Sequence, residues 1–182
     1  MRYTGTMAKT YTRTGDLGTT AHPQGGRASK SDDAIEVVGR FDEAQVAIGS
    51  ALSLCNNPRF STLKPILQHC ITVLFSCATQ TIDDEIVAAE VMKLEEETDR
   101  LDEQLEPLTD FIGPYGCEMS CRLHAARVAI RRLERGVWQA IDNGSWDDRS
   151  ATPYLNRLSD YLFAAARWAN KVADESREAI DD

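Results

Sequence analysis

The chain has 182 residues, of which 42% are hydrophobic and 27% charged, and its formal net charge at pH 7 is −9. These proportions are typical of one globular domain with a sizeable core, and the acidic balance excludes a general nucleic-acid-binding protein, which needs a basic surface. No apolar run approaches the length of a membrane span, and the first ten residues lack the apolar core of a secretory signal. We therefore expect a cytoplasmic protein with no membrane or nucleic-acid partner.

Residues 9–31 are rich in glycine, threonine and positively charged side chains and follow neither a helical nor an alternating pattern. Glycines let a backbone approach a phosphate chain closely, and hydroxyl groups supply further donors. The segment lacks the Walker sequence, and no strand pattern precedes it as in a Rossmann fingerprint. A nucleotide-binding loop and a flexible tail both fit this composition. Residues 1–6 precede a second methionine, Met7, and we expect them to be a dispensable extension.

Two apolar stripes with steps of three and four residues predict helices over residues 33–55 and 61–80. Asp32 is an N-cap candidate for the first helix, and Pro58 lies in the break between the two. His69 lies beside the second stripe and is interpreted as a packed or surface histidine rather than a ligand. The predicted core positions are Val37, Phe41, Ala44, Ile48, Ala51 and Cys55, then Leu63, Ile66, Leu67, Cys70, Leu74 and Cys77.

A third stripe predicts a helix over residues 84–106, which Pro107 ends. Its other faces are acidic and are interpreted as a solvent-facing surface. These acidic residues are Glu90, Glu95, Glu96, Glu97, Asp99, Asp102 and Glu103. The connection that follows contains Phe111 and Ile112, although loops are usually polar. These two apolar side chains either fill the core or face a ligand.

The helix predicted over residues 118–139 carries a charged band beside its apolar stripe. The band contains His124, Glu134 and three arginines at successive steps of four, Arg127, Arg131 and Arg135. Like charges at this spacing repel one another, and a guanidinium matches a carboxylate or phosphate in bidentate geometry. The band therefore either binds a small anion or is a solvated face on which Glu134 pairs locally.

The last helix is predicted to have Thr152 as its N-cap and Pro153 as its first residue, with an apolar stripe that runs to Val172. The opposite face is polar and aromatic, which indicates either a subunit contact or a site. That face contains Asn156, Ser159, Asp160, Phe163, Arg167 and Asn170.

Five helices with short connections and no strand pattern of note predict an all-α, up-and-down five-helix bundle. The predicted parts are an N-terminal segment over residues 1–32, the bundle over residues 33–176 and a fraying acidic tail over residues 177–182. A short connection joins the fourth and fifth helices, so we expect them to be antiparallel neighbours. The five cysteines form no C-x-x-C pair, which favours reduced thiols over a disulfide or metal framework, and we expect no protein metal site.

Three separated stretches resemble the ATP:cob(I)alamin adenosyltransferases of the propanediol-utilisation (PduO) type. They are YTRTGDLGTT…GGRASK at Tyr11–Lys30, RLHAARVAIRRLER at Arg122–Arg135 and YLNRLSDYLFAAARWAN at Tyr154–Asn170. VVGRFDEAQVAIG at Val37–Gly49 is also similar to that family. The resemblance implies a ferritin-like five-helix bundle that assembles as a homotrimer with active sites between subunits. It also implies transfer of the 5′-deoxyadenosyl group of ATP to reduced cobalamin, with release of triphosphate.

The resemblance also implies roles for particular residues. Arg127 and Arg131 would hold the triphosphate, with Mg²⁺ neutralising part of its charge, and Glu134 and Asn156 would contact the adenosine portion or the arginines. Asp42 would pair with the residue at Arg127 across the subunit boundary. The loop that wraps ATP would contain Thr12, Thr14, Gly15, Asp16, Gly18, Thr19 and Lys30.

By the same resemblance, Phe111 would lie against the corrin and keep the lower axial ligand off the cobalt, and Phe163 is a second predicted cobalamin contact. A cobalamin reductase and an adenosylcobalamin-dependent enzyme are the partners it implies. Leu17 stands where the family usually has a basic residue, and Tyr115 where it usually has a small one. These departures motivate one alternative, a non-catalytic carrier or sensor of cobalamin or ATP. A further alternative is a structural trimer whose arginines make only subunit contacts.

Overall fold

In the computed structural model, which describes residues 11–181, five α-helices form a bundle that follows a short β-hairpin. The helices are α1 (Asp33–Leu52), α2 (Lys64–Ala78), α3 (Asp84–Asp102), α4 (Glu118–Asp142) and α5 (Ala151–Asp181). Two 3₁₀ helices, Ser53–Asn56 and Pro58–Leu63, join α1 to α2. The predicted all-α five-helix bundle is thereby confirmed. The predicted extension over residues 1–6 lies outside the described residues.

The helix starts follow from local polar groups. Asp32 caps α1, since its carboxylate accepts a hydrogen bond from the Ala34 N–H at 2.9 Å. The prediction that Thr152 caps α5 is wrong, because α5 begins at Ala151 and Thr152 lies inside its first turn. The Thr152 hydroxyl instead donates to the carbonyl oxygen of Arg149 at 2.9 Å. The proline that follows is tolerated because N–H groups in a first turn have no intrahelical acceptor.

The predicted apolar stripes meet in one core. Every predicted core position of α1, including Cys55 just beyond its end, is buried, and in the second stripe only Ile66 stays partly exposed. The largest fully buried side chains include Phe41, Met119, Tyr154 and Tyr161. The helices α1, α3 and α5 all contribute to this core through residues of their predicted apolar stripes. The apolar periodicity therefore predicted these buried faces correctly.

The helix α4 packs against both α1 and α5. Near the start of α5, Asn156 donates to Glu134, late in α4, with an Nδ2–Oε1 distance of 3.3 Å. Near the other end, the Cys117 N–H that precedes α4 donates to Asn170 Oδ1 at 2.9 Å. The two helices therefore run antiparallel, as predicted, and the charged band of α4 faces the polar side of α5.

Glu90 is buried, at 6% exposure, which corrects its assignment to a solvent-facing surface. Its Oε2 lies 2.5 Å from His69 Nε2, and its Oε1 accepts a hydrogen bond from Lys93 Nζ at 2.7 Å. Burial acts to raise the pKa of Glu90, but the hydrogen bonds and positive charges of Lys93 and His69 outweigh burial and lower it. These three side chains, here called the Glu90 cluster, form a carboxylate site in which both oxygens are paired.

The N-terminal segment contains a β-hairpin that the sequence did not indicate. Strand β1 (Thr19–Ala21) pairs antiparallel with β2 (Arg27–Ser29), and Thr20 lies opposite Ala28. The interpretation that the chain has no strands is therefore wrong. Strands of three residues are too short to show an alternating apolar pattern.

The five cysteines are free thiols. Cys55, Cys70 and Cys77 are buried, Cys117 is half-buried, and Cys121 is exposed. Burial raises the pKa of Cys70 and of Cys77 to about 12. Of the described helices, none combines the length and the apolar character that a membrane crossing needs.

Candidate active site

A cleft of about 720 Å³ lies between the charged band of α4, the polar face of α5 and the loop of residues 103–117 that joins α3 to α4. It is lined by Leu108, Thr109, Asp110, Phe111, Ile112, Arg127, Arg131, Ser159, Asp160 and Phe163. Four of the residues predicted for the site, Phe111, Arg127, Arg131 and Phe163, therefore line one space. The cleft contains both guanidiniums and aromatic rings, so it suits a ligand with an anionic part and a flat apolar part.

Arg127 is the half-buried cation of this cleft. Its guanidinium carbon lies 5.7 Å from the centroid of the Phe163 ring, which indicates a cation–π contact. Its Nε is buried without a hydrogen-bond partner among the described residues, and no described carboxylate pairs with it. A buried donor without a partner is costly, so Arg127 is poised to bind an anion that reaches the cleft.

His124 lies one turn before Arg127 and is buried. Its ring centroid is 6.0 Å from that of Phe163, on which Arg127 also lies, and its Nδ1 has no hydrogen-bond partner among the described residues. Burial, and next the charge of Arg127, lower the pKa of His124. The imidazole is therefore neutral near pH 7, and Arg127 carries the positive charge here. The sequence placed His124 in the charged band but gave no sign that it is buried.

Arg131 is exposed and lines the cleft one turn after Arg127. The carboxylate of Glu134 accepts its hydrogen bond from Asn156 rather than from an arginine of the band. Arg135 turns back to donate to the Arg131 carbonyl oxygen at 3.1 Å. The alternative in which Glu134 neutralises the arginine band locally is therefore not what this structure shows.

Phe111 and Ile112 are exposed and line the cleft, so they do not fill the core. The Phe111 ring is fully exposed. Nearby, the Tyr115 ring folds over Gly113, where a Cβ atom would lie 2.1 Å from it. Because neither side chain fills the core, the expectation that these loop residues face a ligand agrees better with their exposure.

The predicted ATP loop forms a compact turn ahead of the β-hairpin. The hydroxyl oxygens of Thr12 and Thr14 lie 2.8 Å apart. Arg27 fastens the turn, since its Nη2 donates to the carbonyl oxygens of Thr14 at 2.6 Å and of Thr19 at 2.9 Å. Sequence reasoning counted Arg27 only as positive charge and missed this contact. Arg27 lies opposite Ala21 in the hairpin, and its side chain reaches back to Thr19, so this contact depends on a hairpin that had no signal in the sequence.

The same turn brings Gly15 and Lys30 together. A Cβ atom at Gly15 would lie 3.3 Å from Lys30 Nζ, and the Lys30 N–H donates to the Gly18 carbonyl oxygen at 2.9 Å. Gly18 has a φ of 78°, a conformation that favours glycine. Asp16 is exposed in this turn, and its N–H donates to the Arg13 carbonyl oxygen at 3.3 Å. None of the residues of this turn lines the cleft of the same protomer.

Asp42 is exposed on α1 and does not line the cleft. Its carboxylate forms no ion pair or hydrogen bond with the described residues of its own chain. Its neighbour Glu43 is 3.5 Å from Arg132, which lies on the side of α4 that packs against α1. Within residues 11–181 no group of three or more histidine, cysteine or acidic side chains is placed to hold a metal ion.

The geometry agrees with comparisons to known proteins. Residues 10–169 match the family described as Cobalamin adenosyltransferase. The corrinoid adenosyltransferase of Mycobacterium tuberculosis is 34% identical over 180 residues, covering 92% of this chain and 92% of that protein. The Bacillus subtilis corrinoid adenosyltransferase is 37% identical over 169 residues, covering 89% of this chain and 86% of that protein.

A solved structure extends the likeness to three dimensions. It is a variant PduO-type ATP:corrinoid adenosyltransferase from Lactobacillus reuteri complexed with cobalamin and ATP. It superposes with a TM-score of 0.84 at 29% identity, covering 91% of this chain and 93% of that one. The chain described here belongs to the cobalamin adenosyltransferase family.

Proposed function

We propose that this protein is an ATP:cob(I)alamin adenosyltransferase. The observation that carries the proposal is the pair of arginines without an acidic partner, Arg127 and Arg131, in a cleft that also presents the exposed ring of Phe111. In the reaction, cobalt(I) supplies an electron pair to C5′ of ATP, a cobalt–carbon bond forms, the C5′–oxygen bond breaks, and triphosphate leaves with that oxygen. The protein has to place the two substrates and stabilise the departing charge.

The arginines suit the departing triphosphate. Guanidiniums bind phosphate oxygens through parallel N–H donors, and the unpaired Nε of Arg127 supplies one such donor. Mg²⁺ is proposed to arrive bound to ATP, because this ion keeps several waters and prefers phosphate oxygens as further ligands. Glu134 and Asn156, which hydrogen-bond to each other, are placed to meet the adenosine portion or to orient the arginines.

The loop that carries Phe111 supplies the proposed corrin contact. A fully exposed aromatic ring at the edge of a cleft is unfavourable in water unless a ligand covers it. Phe163, in contact with Arg127, lies on the opposite wall and is the second proposed cobalamin contact. With Phe111 in the place of the lower axial ligand, cobalt loses that ligand and becomes easier to reduce.

We propose that the active enzyme is a homotrimer whose sites lie between subunits. The N-terminal segment is proposed to extend over residues 1–32, and its described part, residues 11–32, does not line the cleft of its own protomer, which supports binding of ATP in the cleft of an adjoining one. Asp42, whose carboxylate has no partner among the described residues of its own chain, is proposed to pair with Arg127 of a neighbour. Exposed apolar side chains on α1 and α4, such as Val46 and Val128, are candidates for burial between subunits.

The setting of the enzyme follows from the same proposal. Buried free thiols suit a reducing compartment, so the protein is proposed to be cytoplasmic. A reductase that delivers cob(I)alamin and an enzyme that uses adenosylcobalamin are the proposed partners. Residues 33–176 are proposed as the bundle domain and residues 177–182 as an acidic tail.

The proposal is tested by following the absorption spectrum of chemically reduced cobalamin mixed with MgATP and the protein. We expect adenosylcobalamin to form with one triphosphate released per turnover, and no triphosphate without reduced cobalamin. Tight binding of both substrates with no product contradicts the proposal and identifies a carrier or sensor. A melting temperature that neither ATP nor cobalamin raises identifies a structural trimer, because a ligand that prefers the native state must stabilise it.

The shared site is tested by mixing two inactive variants, Arg127→Ala and Lys30→Ala. In mixed trimers, some boundaries join an intact cleft to an intact ATP loop, so we expect part of the activity to return after subunit exchange. Exchange is verified by mass spectrometry of differently tagged protomers. Complete exchange with no recovered activity rules out a site built from two subunits.

A further inference from the structure

One short stretch of α5 holds the first stem of the loop of residues 103–117. Arg167 Nη2 donates to the Glu106 carbonyl oxygen at 2.5 Å, and Lys171 Nζ donates to the Gln104 carbonyl oxygen at 2.5 Å. These carbonyls follow the end of α3, where a chain leaving a helix has unpaired acceptors. The stem is therefore fixed to α5 through its backbone, whatever side chains the loop carries.

Asn170, between those two residues on α5, holds the second stem with both ends of its amide. Its Oδ1 accepts a hydrogen bond from the Cys117 N–H at 2.9 Å, and its Nδ2 donates to the Tyr115 carbonyl oxygen at 3.0 Å. Gly116 lies between these two groups with a φ of 131°, and a Cβ atom there would lie 2.0 Å from Asn170 Oδ1. The glycine and the asparagine thus form one clamp.

Between the stems, the loop has little support of its own. No backbone–backbone hydrogen bond involves residues 106–116 within the described part of the chain. A space of about 480 Å³ separates the loop from α5, with Ile112 and Tyr115 on one side and Asn170 on the other. Since the Phe111 ring is fully exposed, packing does not determine where it lies, and the two stems must.

We infer that Asn170 is a positioning residue for Phe111, acting through the clamp at Gly116. The inference rests on the proposed function, in which the Phe111 ring replaces the lower axial ligand of cobalamin. A ring that must lie within contact distance of a cobalt atom tolerates little displacement, and loss of the clamp releases one stem of its loop. Asn170 does not line the cleft and is not a catalytic residue.

The test replaces Asn170 by alanine, and by aspartate as a near-isosteric change that keeps the acceptor for Cys117 and removes the donor to Tyr115. Glu85→Ala, an exposed position at the start of α3 that contacts neither stem, is the control. We expect Asn170→Ala to lower the four-coordinate fraction of cob(II)alamin, read from its absorption in the presence of MgATP, and to raise the KM for cobalamin by about tenfold. The KM for ATP stays within twofold of wild type in the same assays. Asn170→Asp falls between the alanine variant and wild type.

A double variant separates positioning from general damage. In a Phe111→Ala background, Asn170→Ala is expected to cause no further loss of the four-coordinate fraction, since its effect passes through the absent ring. Equal losses in both backgrounds, or an unchanged four-coordinate fraction in the single variant, overturn the inference while leaving the proposed function intact. A wild-type protein that forms no adenosylcobalamin overturns both together.

Discussion

The Glu90 cluster and the cleft both hold charged side chains against the apolar interior, and they differ in how completely those side chains are hydrogen-bonded. In the Glu90 cluster, both oxygens of a buried carboxylate are hydrogen-bonded to side chains of the same chain. In the cleft, the half-buried Arg127 has a buried Nε without a partner among residues 11–175, and the neighbouring His124 is buried beside it. Both sites bring charge out of water, yet only the first completes its hydrogen bonds.

The difference distinguishes charge that stabilises a fold from charge that awaits a ligand. A buried ion pair with all its hydrogen bonds made has nothing left to offer a substrate. An incompletely paired guanidinium lowers stability and keeps its binding capacity, the usual condition of residues that bind anions. We therefore expect changes in the Glu90 cluster to affect stability alone and changes in the cleft to affect turnover.

Arg127→Ala should show the largest effect. Removal of a donor that stabilises departing charge is expected to reduce turnover by roughly 10²–10³. The melting temperature should fall only slightly, because Arg127 gives up its contact with the Phe163 ring but no ion pair with a described residue. The matched control is Arg132→Ala, on the same helix and paired with exposed Glu43, which should retain turnover. Similar losses of turnover in both variants would show that the unpaired Arg127 has no special role.

Glu90→Gln should lower stability and leave turnover unchanged. The substitution keeps the side-chain volume and removes the charge that Lys93 and His69 bind, at a cost of about 1–2 kcal/mol in the free energy of unfolding. In a chain of this length, that loss corresponds to a melting temperature lower by roughly 3–6 °C. Glu96→Gln, an exposed neighbour on α3, is the control in the same thermal melts. A fall in turnover without a fall in stability contradicts the structural role.

The two sites should also respond to pH in different ranges. Because the pKa of Glu90 is lowered on folding, its contribution to stability is complete above the ordinary glutamate pKa of about 4.3 and is lost as the pH falls through the lower folded value. The pKa of His124 is also lowered, so the unfolded chain binds a proton first and stability declines as the pH falls below about 6.5.

Melting temperatures measured from about pH 2 to pH 8 test this separation, because the range includes both declines. His124→Phe should flatten the decline below neutrality, and Glu90→Gln should flatten the decline in more acidic buffers. Arg127→Ala should weaken the decline of the melting temperature just below neutrality, since it removes one of the two causes that lower the His124 pKa. Identical pH profiles for wild type and His124→Phe would show that His124 does not titrate as described.

Leu17→Lys should produce the smallest change. Leu17 is 95% exposed in the turn ahead of the hairpin, at a position where the resemblance to the family predicts a basic residue. One added surface charge near a triphosphate is worth about 0.2–1 kcal/mol, so the KM for ATP should fall by roughly twofold to fivefold. Leu17→Gln adds polarity without charge and should leave the KM near wild type. Equal effects of both substitutions would exclude an electrostatic cause.

Much of the fold could be predicted because helical periodicity is a property of neighbouring residues. The stripe through Leu123, Ala126 and Ile130 repeats within one helix, so the buried face of α4 was evident before any tertiary information. The arginine band was evident for the same reason. Helix ends were less accurate: α3 ends at Asp102 rather than at 106, although Pro107 had set the limit.

The failures involve partners that are distant in the sequence. Glu90 lay among acidic residues of α3, and its burial depends on His69, which belongs to α2. The contact between Asn170 and Gly116 joins α5 to the start of α4, and neither residue has a local signal of it. Of the residues that the resemblance to the adenosyltransferase family names, Phe111, Arg127, Arg131 and Phe163 line the cleft, and the roles assigned to all of them stay predictions.

The single exposed cysteine of the five gives a practical handle on this site. Cys121 lies in the first turn of α4, one turn after Cys117, which the Asn170 clamp holds. Burial raises the pKa values of Cys55, Cys70 and Cys77, so these thiols react slowly with maleimides. A fluorophore can therefore be attached near the hinge of the Phe111 loop in the natural sequence, and its emission can report loop movement in real time.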